Sequence, residues 1–85
     1  MNTLVSVKNK PIVGTSLPLL VEKGEDGFYS IECPILSGCY TQGATLDEAL
    51  QNIREVINLC LEEKENQEKM NGYHPQELSF HTITV

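Results

Sequence analysis

Thr45, with Glu48 three residues later and an apolar-periodic run behind it, constrains this chain more than any other feature. A threonine hydroxyl at an N-cap accepts from the amide three residues on. A glutamate there reaches back to the cap's own amide, so two orphan donors are satisfied at once. Asp47 and Glu48 also place negative charge at the positive end of the helix dipole. Leu46, Ala49, Leu50, Ile53, Val56, Ile57, Cys60 and Leu61 then recur at the i, i+3, i+4, i+7 spacing of one buried helix face. Gly43, just ahead of the cap, supplies the turn by which a short strand hands over to the helix. The polar stretch 62–69 is expected to continue the same helix to a point between Lys64 and Lys69 and, being polar all round, need not pack. Asn71-Gly72 stops it and Pro75 lies beyond.

The rest of the chain reads as strands and turns. Residues 17–23 form a strand with Leu17, Leu19 and Val21 on one side and Leu20 and Glu22 on the other. Residues 24–27, Gly-Glu-Asp-Gly, are a hairpin turn. Residues 28–33 alternate again, with Tyr29, Ile31 and Cys33 against Phe28, Ser30 and Glu32, until Pro34 removes a ladder donor. Residues 38–42 form a third short strand, and the β-branched segment 78–85 a last one. Residues 3–8 are a short strand or an ordered arm, so residues 1–16 read as an extension and 17–85 as the domain. The expected class is α+β: an antiparallel β-β-β meander, one helix and a closing strand. Leu20, Phe28 and Tyr40 fall on the sheet face away from the helix. A sheet with apolar residues there needs a second cover, which points to self-association as a dimer or tetramer, or to a partner.

With 85 residues the chain makes one small domain, and its net charge is −6. Up to Ala44 four carboxylates face three lysines. From Thr45 onward eight carboxylates face three cations, so the second half is the more acidic. Such a chain does not bind nucleic acid by neutralising phosphates, but it can steer towards a basic partner. Three cysteines without Cys-x-x-Cys spacing, behind a start with no basic-then-apolar leader, point to reduced thiols and a cytoplasmic location. No apolar run approaches membrane-spanning length.

The stretch from Gly27 to Leu50 carries a Gly-aromatic strand, then Pro34-x-Leu36-x-Gly38-Cys39, then Thr41-x-Gly43-x-Thr45-x-x-Glu48-Ala49. In joint order and spacing it resembles the HicB-like antitoxins, with Gly27, Pro34, Leu36, Gly38, Gly43, Thr45, Glu48 and Ala49 as structural positions. The resemblance implies a partial RNase H-like domain with no catalysis and no cofactor. Its expected partner is a HicA-like toxin, a small basic mRNA-cleaving ribonuclease, with no DNA-binding domain attached to the antitoxin. The alternative is a stand-alone homo-oligomeric protein of the same fold without a toxin. Partner contact falls to Glu22, Glu25 and Asp26 around the first hairpin, with Leu20, Phe28 and Tyr40 on the open face. A metal-dependent nuclease needs several converging carboxylates on central strands. Here the strands offer only Glu22 and Glu32, and residues 78–85 carry none. His74 and His81 lack the spacing of a helical or hairpin metal pair.

Overall fold

The computed structural model describes residues 14–85. The segment 3–8, read above as a strand or arm, lies outside the described residues. Strands β1 (Leu20–Lys23), β2 (Tyr29–Glu32) and β3 (Tyr40–Gly43) are followed by helices α1 (Leu46–Cys60) and α2 (Lys64–Asn71). The three strands form one antiparallel sheet in the order β1-β2-β3, with Leu20 opposite Glu32 and Glu32 opposite Tyr40. The architecture is α+β.

The first hairpin turns where Gly27 adopts φ 87°. Gly27 N–H donates to Gly24 O at 3.0 Å, and the Asp26 carboxylate accepts from Phe28 N–H at 3.0 Å. An aspartate that bonds the backbone two residues on fixes a turn without help from the core. The alternation then places Ile31 and Cys33 in the core, and Leu36, Cys39, Ala49, Ile53 and Met70 complete it.

Helix α1 starts at Thr45, whose Oγ1 accepts from Glu48 N–H at 3.1 Å. The returning half of the capping box is shifted by one residue: Glu48 Oε1 accepts from Ala44 N–H rather than from Thr45. The box is thus closed on the turn that follows β3. Thr45→Ala should cost about 1 kcal/mol, read as a lowered urea midpoint. An unchanged midpoint would show that the cap is not needed.

Two expectations are corrected. The helix does not run on past Lys64. It ends at Cys60, where Glu62 N–H donates to Leu59 O and Glu63 N–H to Cys60 O, the tighter bonds of a finishing turn. Nor is the following polar stretch free of packing, because α2 buries Asn66 to 2 % exposure together with Met70. The Asn66 amide accepts from Ser37 N–H at 2.9 Å and donates to Ser37 O and Cys60 O at 3.3 and 3.0 Å. A buried amide is tolerated when its donors and acceptor are all matched, and this one ties α2 to the β2–β3 connection and to the end of α1. Lys69 adds bonds to Ser37 Oγ at 2.6 Å and Glu65 at 3.3 Å. The second difference is the closing strand. Residues 78–85 are exposed and unpaired, and among the described residues the sheet has three strands. A strand needs a ladder partner, and neither sheet edge of this chain meets the segment.

Candidate partner-binding face

Helix α1 lies over β3 and β2. Asn52 of α1 donates to Gln42 O at 2.9 Å. The opposite sheet face is therefore left to solvent. Cross-strand register builds it in rows: Leu20, Glu32 and Tyr40 in one, Glu22, Ser30 and Gln42 in the next. These six line a shallow depression of about 660 Å³. Tyr40 is 70 % exposed and Leu20 37 %.

The depression brings together three of the residues singled out from sequence: Leu20, Glu22 and Tyr40. Phe28 has the same outward parity but stands at the far end of β2, beside the hairpin turn, and is exposed. Glu25 and Asp26 sit exposed at the hairpin tip next to Phe28. Glu32, not assigned to the contact set from sequence, lies between Leu20 and Tyr40. Its alternation with Ile31 and Cys33 was the signal that could have placed it there. The face is consequently mixed rather than apolar throughout, with carboxylates flanked by an aliphatic and an aromatic side chain. Such a surface suits a cationic partner with apolar patches better than it suits a lipid surface or a nucleic acid.

The inward side carries the three cysteines. Cys33 and Cys39 are buried and Cys60 is half-buried, all as free thiols. Burial, reinforced by the neighbouring Cys60 and Cys33 thiols, pushes the Cys39 pKa up to about 12. A thiol held protonated is neither a nucleophile nor a ligand at neutral pH. Among the described residues no group of three or more His, Cys, Asp or Glu is placed to hold a metal ion, and no helix is long and apolar enough to cross a membrane. His74 bonds Asn71 O at 2.9 Å and His81 bonds Ser79 Oγ at 2.8 Å.

A family model described as HicB-like antitoxin of bacterial toxin–antitoxin systems matches residues 17–82. The chain belongs to the HicB-like antitoxin family. A UPF0150 protein of Synechocystis sp. is 62 % identical over 47 residues, which are 55 % of this chain and 68 % of that protein. A UPF0150 protein of Thermoplasma acidophilum is 41 % identical over 64 residues, 74 % of this chain and 93 % of its own. One from Archaeoglobus fulgidus is 46 % identical over 50 residues, covering 59 % and 72 % of the two chains. No solved structure matches. The matched span of the HicB-like model takes in the capped helix, the three strands and the whole open face.

Proposed function

We propose that this chain is an antitoxin that neutralises a small, basic, mRNA-cleaving toxin of the HicA kind by covering its RNA-binding surface, without catalysis of its own, in the cytoplasm. The observation that carries this reading is the set of exposed carboxylates, Glu22, Glu32, Glu25 and Asp26, on the open sheet face and hairpin tip of a HicB-like domain. A ribonuclease holds its substrate by arginine and lysine on phosphates. Carboxylates at similar spacing compete for the same cations. Leu20 and Tyr40 add apolar contact, which slows release once the pair has formed. The hairpin carboxylates are the better steering group, because Asp26 is fixed by its bond to the Phe28 amide.

The test pairs this chain with the product of a small basic reading frame encoded beside it. Co-expression and pull-down establish the pair, and surface-immobilised kinetics at two salt concentrations then dissect it. Replacing Glu25 and Asp26 together by lysine should slow association about tenfold at low salt and leave dissociation nearly unchanged, with the domain still folded but less stable by about 1 kcal/mol through the lost Asp26–Phe28 bond. Charge reversals of Glu62 and Glu63 serve as the control. Parental association by the hairpin double variant would move the docking site elsewhere.

A further inference from the structure

Two features of the fold are incomplete in the same sense. Among the described residues the outer edge of β1 carries unpaired backbone groups, since β1 is terminal in the sheet. Beside it, α1 and the lead-in to β1 leave a groove of about 420 Å³, open among the described residues, walled mainly by leucines and isoleucines (Leu17, Leu19, Leu50, Ile53, Ile57 and Leu61) with Thr15, Arg54 and Asn58 also lining it. The groove exists because α1 covers β3 and β2 but stops short of β1. An exposed apolar edge of this kind is a template for another strand.

The second feature is the segment 78–85. It is exposed and belongs to no helix or strand, with Phe80 at 74 % and Ile83 at 87 %. The Ser79–His81 side-chain bond at 2.8 Å places these two side chains on one side of the segment, as they would be in a strand. Leu78 and Phe80 fall on one side, Ile83 and Val85 on the other. That is the pattern of a strand covered on both faces. Its β-branched composition gives it no reason to stay in water.

We propose that residues 78–85 of one chain add as a strand to the free β1 edge of a second copy, in reciprocal exchange. One apolar pair enters the groove beside α1, and the other extends the open face beyond β1, beside Leu20 rather than over it. A second copy is the occupant because α2 is pinned to Ser37 by Asn66 and Lys69, which leaves the following segment off this chain's own edge. Reciprocal exchange is also the closed, two-fold arrangement that homodimers favour. The size fits. Each buried apolar side chain covers on the order of 100 Å². Two tails with the groove walls they cover come to roughly 1,600 Å², the area of a standard stable interface.

Sedimentation of the full chain at micromolar concentration should give a dimer. Thr82→Pro removes a ladder donor in a segment that touches no core residue, so the fold should persist by circular dichroism. The dimer dissociation constant should rise at least about 100-fold. Leu50→Arg should block the groove and have the same effect. A groove-blocked chain mixed with a chain lacking residues 78–85 still offers one intact tail and one intact groove. It should form a heterodimer that neither forms alone. A monomeric full chain, a Thr82→Pro dimer of parental strength or the absence of the mixed heterodimer would each overturn the exchange. Loss of the dimer on deleting residues 1–13, with the tail variants still dimeric, would assign the groove to the N-terminal segment and overturn it equally.

Discussion

Ile53→Ala should destabilise the domain by about 2–5 kcal/mol, read as a shift in the urea midpoint at fixed protein concentration. Ile53 is 2 % exposed and sits with Ala49 on the face of α1 that meets β3 and β2. Removing three of its carbons leaves a cavity between sheet and helix, and the short strands have little freedom to close it. The total stability of a domain this size is itself only about 4–13 kcal/mol, so this loss is a large share of it. Leu59→Ala is the comparison, since Leu59 lies on the same helix but is 63 % exposed. Its midpoint should barely move. A parental midpoint for Ile53→Ala would mean that the helix does not dock through this face.

Gly43→Ala should cost about 1–3 kcal/mol or more, although alanine normally suits a folded chain better than glycine. A Cβ built on Gly43 stands 2.5 Å from Ala49 N and 2.8 Å from Ala49 Cα. Both are backbone atoms in the first turn of α1, so relief requires the helix to move off β3. The backbone entropy gained from losing a glycine is worth about 0.4–1 kcal/mol and does not offset that displacement. Gly24→Ala separates the two effects. Its Cβ meets the far end of the Asp26 side chain at 2.9 Å, which can turn aside at the cost of its bond to the Phe28 amide but without moving the helix. Gly24→Ala should therefore cost no more than that one exposed hydrogen bond, about 1 kcal/mol or less. If both glycine variants behave alike, the close approach of α1 to β3 is not what Gly43 secures.

Much of the fold is legible locally. Thr45 and Glu48 announce the start of α1, and the stripe through Ala49 and Ile53 identifies its buried face. The parity of residues 28–33 assigns Ile31 and Cys33 inward and Ser30 and Glu32 outward. Gly27 and Asp26 close the hairpin within four residues. Each depends on neighbours a few positions apart, where period and side-chain chemistry speak directly. The candidate face was legible in the same way, through alternation. Its mixed character was not, because it required the register that sets Glu32 between Leu20 and Tyr40.

Asn66 illustrates what the tertiary structure alone decided. In sequence it belongs to a polar run with no apolar stripe, and nothing marks it for burial. It is buried because Ser37, 29 residues earlier, presents both an amide and a carbonyl at the right place. That long-range match breaks the helix into two and redirects the chain before residue 78. The β-branched segment 78–85 shows the complementary limit. Its sequence determines that it can be a strand, through β-branching and two-sided apolar parity. Whether it is one depends on a sheet edge brought within reach, because a strand, unlike a helix, has no hydrogen-bond partners within itself.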